Sequence, residues 1–276
     1  LVDNHHLEVF DILVDELNRQ GAYLFFTPIA WWNSPGARPD AFGRQMTIAR
    51  MMFDREAIRK SARFVQQILD HTNRFTKTQL KAEPCLAVCE IMNEPIHIIY
   101  ELYDKPEQFA DMTNRIHDPN LSRDIIVRDV NMFGSMYRDW CRLRDTTQSR
   151  DTYEEFQYET ELEYLTSMVS AFKNSGCSAP VAASLYQASG AKPSIEIIEY
   201  FGLDPDEFDL ERPVNHGIIR AVGDSPVDAV TTGGYPDMMN KENEYRNQIP
   251  EHAISKSLPP EVDNKAVMIY EWDICN

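Results

Sequence analysis

Two carboxylates in this 276-residue chain sit where they could work as a pair. Glu94 belongs to Asn93-Glu94-Pro95, directly after an apolar run. Glu271 belongs to Tyr270-Glu271-Trp272, at the end of another. Two carboxyl groups facing one another, one holding a proton and the other ionised, are what cleavage of a glycosidic bond needs. The first protonates the leaving oxygen and the second attacks the anomeric carbon. The neighbouring residue types suit a sugar. Trp31, Trp32, Tyr235 and Trp272 offer flat aromatic faces, Asn93 offers an amide for a ring hydroxyl, and His97 follows the motif closely enough to line the same cleft. Trp31 and Trp32 are adjacent, so in an extended segment they point opposite ways, and one of them packs while the other lines a subsite.

The elements that must position these groups are legible as apolar runs. Residues 22–29, 85–92, 181–186, 227–232 and 266–270 are short and continuously apolar, as parallel strands buried on both faces are. Between them the apolar residues recur at helical spacing: around 4–20, 54–71, 152–173, 194–201 and 242–257. Gly21 and Gly176 stand where the first helix and the 152–173 helix should end in a left-handed residue. Strand and helix alternate, which implies right-handed crossovers and a parallel sheet. In such folds the reactive groups sit at the carboxyl ends of the strands, where Asn93-Glu94 and Glu271 are found. The stretch 95–150 is long and polar, with helical character around 121–143, and reads as an insertion on a single catalytic domain. Residues 204–220 read as irregular. The glutamates at 154, 155, 159, 161 and 163 read as a solvated helix face, and Glu90, inside a strand, as a buried, paired carboxylate or a residue of a barrel lumen.

Composition narrows the field. With 27 basic and 44 acidic residues the net charge is −17. That disfavours nucleic acid, whose phosphates need a basic face, and an anionic membrane surface. The most apolar stretch, 22–32, is broken by Thr27 and Pro28 and is shorter than the ~20 residues of a spanning helix. Five cysteines without a C-x-x-C pair imply neither a disulfide framework nor a zinc ribbon. His5 and His6 are adjacent on a helix, about 100° apart, a poor arrangement for one shared metal. The chain begins at Leu1 inside a helical pattern, without a signal peptide, and reads as an internal piece of a longer protein. No motif bears on oligomeric state.

The segment from Ala87 through Val88-Cys89-Glu90-Ile91-Met92 to Asn93-Glu94-Pro95 resembles the fourth-strand signature of clan A glycoside hydrolases, the retaining (β/α)8 TIM-barrel enzymes that include family five. Val267-Met268-Ile269-Tyr270-Glu271-Trp272 resembles their seventh strand, and 21–32 their third. On this resemblance the chain holds strands three to seven of the barrel. Glu94 is implied as general acid/base and Glu271 as nucleophile. Asn93 is implied to bind the hydroxyl beside the anomeric carbon, and Tyr235 to hydrogen-bond the nucleophile. The implied reaction is double displacement on a polysaccharide or oligosaccharide with two glutamates and no metal or organic cofactor. Its substrate class implies an extracellular or periplasmic location. Where many relatives carry His-x-Tyr on the sixth strand, this chain has Gly233 at the His position. A carbohydrate-binding pseudoenzyme on the same barrel is the alternative that this departure leaves open.

Overall fold

A computed structural model describes residues 4–29, 46–93, 95–116, 122–185, 198–199, 203–209, 215–234 and 260–272. Five strands form one parallel sheet: β1 (Leu24–Phe26), β2 (Leu86–Glu90), β3 (Val181–Ser184), β4 (Ala229–Gly234) and β5 (Ala266–Trp272). Their spatial order is β1-β2-β3-β4-β5, so each strand lies beside its successor in the chain. The α-helices are α1 (Asn4–Gln20), α2 (Ile48–Phe53), α3 (Arg55–Leu69), α4 (Pro106–Ile116), α5 (Arg123–Leu143), α6 (Arg150–Asn174) and α7 (His216–Asp224). Among the described residues none of them is long and apolar enough to cross a membrane.

Local chemistry sets the boundaries. Gly21 (φ 66°) and Gly176 (φ 88°) close α1 and α6 in the left-handed region, as their positions predict. Asp54 ends α2 and starts α3, its carboxylate accepting from the N–H groups of Glu56 and Ala57. Ser149 and Thr152 form a capping box that opens α6. β1 is shorter than the apolar run suggests: it stops before Thr27-Pro28, because proline has no N–H to extend a ladder. The segment expected to be irregular up to residue 220 instead enters α7 at Asn215, which takes a left-handed φ of 58°. The helices expected near 194–201 and 242–257 lie mostly or wholly outside the described residues.

The sheet has two faces of different character. Phe26, Cys89, Val181, Ala183 and Val230 turn to the helices and join the main core with Val14, Val65, Leu69, Met168 and Phe172. On the opposite face Phe25, Val88, Ala182, Ala229 and Met268 form a smaller cluster. A second large core lies among α2, α4, α5 and the first half of α6, around Leu102, Phe109, Ile126, Phe133, Tyr137 and Tyr153. Tyr137 meets Tyr153 edge-on, 5.0 Å between centroids at 85°. Asp129, fully buried on α5, accepts from the Thr47 N–H at 2.8 Å and pairs with Arg50 at 3.2 Å, tying this helical lobe to α2. α6 therefore packs against the sheet with one end and against the lobe with the other.

Candidate active site

β2 ends at Glu90, and three residues later Asn93 lies beyond its carboxyl end. The Asn93 N–H donates to the Ile29 carbonyl at 2.9 Å, so the chain leaving β2 stays stitched to the chain leaving β1. The Asn93 Oδ1 is covered from solvent and receives no hydrogen bond from the described residues. Glu94, Trp31, Trp32 and Tyr235 lie outside the described residues, and no placement is given for them.

Glu271 is located by its backbone. Along β4 the inner-face row runs Ala229, Thr231, Gly233, and its partners on β5 begin Ala266, Met268. Simple alternation would continue that row to Tyr270. An irregularity between Thr232 and Gly233 shifts the pairing by one, so Glu271 lies opposite Gly233, and Trp272 opposite Gly234. A one-residue shift of this kind changes which residues occupy a given row. Gly233 is thus the direct register neighbour of Glu271.

Below the strand ends the inner face holds a polar girdle. Glu90 is fully buried on β2 and accepts from the Thr27 hydroxyl at 2.9 Å and from the Thr231 hydroxyl on β4. Thr231 also lies 3.3 Å from the Ala183 carbonyl of β3. The sequence-based reading of Glu90 as a buried, partnered carboxylate on this face holds. Its bonds tie the chain leaving β1 to β2 and β4 beneath the level of Asn93.

The stretch after the Asn-Glu-Pro motif is anchored from outside. The Ile98 carbonyl accepts from the Tyr153 hydroxyl at 2.7 Å and from Gln157 Nε2 at 3.0 Å, both on α6. Gln157 Nε2 also reaches the Asn215 Oδ1 at 3.0 Å. His97 is turned into this helical layer, its Nε2 3.4 Å from Glu161 Oε2, with both side chains nearly sealed from solvent. The contact is within ion-pair range, yet neither ring nitrogen makes a well-aligned hydrogen bond among the described residues. The cavity beside them, lined by Met52, Phe53, Phe133 and Thr160 among others, measures about 20 Å³. That is room for about one water molecule and far from the several hundred Å³ of a ligand pocket.

The glutamates of α6 are therefore not one solvated face. Glu155, Glu159 and Glu163 are outward and pair with Arg220, Arg144 and Arg55. Glu154 and Glu161 are 5% exposed and face inward, Glu154 lying 3.5 Å from His216 and Glu161 beside His97. The physical reason is that α6 is buried on two sides. The signal was present in the spacing: Tyr153, Gln157, Glu161, Tyr164 and Met168 recur at helical intervals on one buried stripe.

No family model matches the chain, and no curated protein does. Solved structures do. An endo-1,4-β-mannanase from Rhizomucor miehei superposes with a TM-score of 0.53 at 15% identity, covering 96% of this chain and 58% of that one. An endo-β-1,4-mannanase from Thermotoga petrophila aligns with a TM-score of 0.47 at 14% identity, over 84% of this chain and 38% of its own. The chain thus spans less than two thirds of either structure. What is shared is the fold, a parallel sheet with its surrounding helices similar to mannanase TIM barrels. The resemblance to clan A, family-five glycoside hydrolases is matched at that level.

Proposed function

We propose that this chain is the central part of a retaining β-glycoside hydrolase, with β1 to β5 as strands three to seven of a (β/α)8 barrel and residues 95–150 as an insertion on that single domain. Glu94 donates a proton to the leaving glycosidic oxygen while the Glu271 carboxylate attacks the anomeric carbon. Water, deprotonated by Glu94, then releases the sugar from Glu271 with net retention. Such a mechanism sets the two carboxyl groups about 5–5.5 Å apart. Asn93 holds the neighbouring hydroxyl, its amide oxygen, unpartnered among the described residues, serving as the acceptor. Tyr235 steadies the nucleophile, and Trp31, Trp32 and Trp272 supply stacking faces. The two carboxyls and water complete the chemistry without a metal or organic cofactor. A polymeric substrate places the enzyme outside the cytoplasm, extracellular or periplasmic.

The observation that carries this reading is the register of β5. Asn93 follows the carboxyl end of β2, and a local shift pairs the backbone of Glu271, rather than Tyr270, with Gly233 of the neighbouring parallel strand in the same sheet. A β-1,4-linked mannan is the first substrate to try, given the shared fold with the R. miehei mannanase. The decisive experiment treats the intact protein with a 2-fluoro-glycosyl inactivator and maps the adduct by mass spectrometry. A glycosyl ester on Glu271 supports the enzyme. Labelling elsewhere, or none across a panel of β-linked sugars that bind, ends it.

Gly233 favours one other reading. It puts no side chain beside Glu271, at the position where relatives carry histidine. A sugar-binding pseudoenzyme would bind oligosaccharides and leave Glu271 unlabelled.

A further inference from the structure

We propose that Cys89 and Cys177 form a disulfide, a covalent cross-link that joins β2 to the turn leading into β3. Their sulfur atoms are 3.9 Å apart although 88 positions separate the residues in the chain. Both side chains are buried, at 0% and 4% exposure. Each backbone is held on its own side of the contact. The Cys89 N–H donates to the Pro180 carbonyl at 2.9 Å, and the Cys177 N–H to the Phe172 carbonyl at 3.3 Å in the turn that closes α6. A disulfide sulfur pair lies about 2.05 Å apart, so the thiols have to approach by roughly 1.9 Å, within reach of side-chain rotation and a small backbone adjustment. Of the other described cysteines, Cys141 lies in the helical lobe's separate core, while Cys85 shares the main core with Cys89 and Cys177 and is the residue just before β2.

The environment suits exchange chemistry. The Cys89 thiol donates toward Cys177. Burial opposes its effect, but the Ala179 N–H and Lys173 reinforce it, and together these hold the Cys177 thiol below the usual range. The thiolate is the attacking form. When a transient opening of the folded chain admits a small-molecule disulfide, the Cys177 thiolate attacks one of its sulfurs and expels one small thiol. Cys89 then loses its proton, and its sulfur displaces the second small thiol. Two protein S–H bonds and one external S–S bond become one protein S–S bond and two external thiols. Closing so long a loop restricts the unfolded chain, which raises stability.

The test uses the intact protein, equilibrated with oxidised glutathione at its urea midpoint, where folded and unfolded chains interconvert, and then diluted to native conditions. Remaining thiols are alkylated in denaturant and the protein is digested without reductant. The expected map links the Cys89 peptide to the Cys177 peptide. The unfolding midpoint of this material falls by several degrees when dithiothreitol is added, while C177S shows no such fall. Full alkylation of both residues, or either one cross-linked to a different cysteine, overturns the proposal. The map of the wild-type protein decides the matter even where C177S folds poorly. Neither readout uses activity, so the result stands apart from the glycosidase reading.

Discussion

Replacing Gly217 by alanine measures how closely α7 is pressed onto α6. A Cβ at Gly217 would lie 2.0 Å from the Glu154 carbonyl oxygen, 2.8 Å from its carbon and 3.1 Å from its Cα. A carbon needs roughly 3.3 Å from a carbonyl oxygen, so α7 has to retreat by about 1.3 Å. The obstacle is backbone near the start of α6 and cannot rotate aside. Retreat loosens Ile218, Ile219 and Val222, each 4% exposed or less. Overpacking of this kind costs about 1–3 kcal/mol or more, and alanine's better helix propensity returns up to ~1. A net loss near 2 kcal/mol lowers the melting midpoint by roughly 4–8 °C for a domain this large. Differential scanning calorimetry reads it, with Gly21→Ala as a contrast. At Gly21 nothing lies within 4 Å of an added Cβ, but φ is 66°, so the cost there is backbone strain of about 1–2 kcal/mol without repacking. A G217A protein that melts with or above the wild type would show that the helices are not in contact at this point. The same close packing governs Gly223, whose Cβ would meet the Glu261 carbonyl oxygen at 2.1 Å.

Other expectations can be checked directly. In the proposed enzyme, Glu94→Gln slows hydrolysis of unactivated glycosides on the order of 10²–10⁴-fold and spares aryl glycosides with good leaving groups, whereas Glu271→Ala abolishes both; equal losses for both substrates in E94Q would remove Glu94 from the acid role. Tyr153→Phe removes one of two donors to the Ile98 carbonyl and costs about 1 kcal/mol in urea unfolding; Gln157→Leu removes the other together with its bond to Asn215, and costs more. The double variant costs more than the sum, because the carbonyl is then left unsatisfied, and strict additivity would refute the shared acceptor. At Asp54 burial pushes the carboxyl up, but Arg50 and the N–H groups of Glu56 and Ala57 outweigh it and hold it below its usual 3.8. A depressed carboxyl stabilises the fold fully above its unfolded value and loses that contribution as pH falls through the folded one. Asp54→Ala therefore costs about 1 kcal/mol at pH 7, and the gap to wild type narrows below about pH 4; a gap that widens on acidification would reverse the sign.

The five strands were legible because each is a short, continuous apolar run, a pattern that needs no tertiary information; burial itself varies, β3 being buried along its whole length while Ala266 and Val267 of β5 are exposed. Gly21 and Gly176 were legible because only glycine accepts their φ without strain. The Asn-Glu-Pro and Tyr-Glu-Trp segments were legible from residue type and from their place after such runs. Tertiary structure decided the rest. The pairing of Glu271 with Gly233 depends on one register shift against β4, where alternation within β5 alone would pair Tyr270 instead. Glu154 and Glu161 are buried because α6 is packed from two directions: the spacing within the helix marks one buried stripe that includes Glu161, but not how many neighbours cover the helix. The Cys89–Cys177 contact joins positions far apart in the chain, and only the stacking of β2 beside β3 brings them together. Local pattern records what each segment is made of; pairing register and helix packing are set by partners distant in sequence.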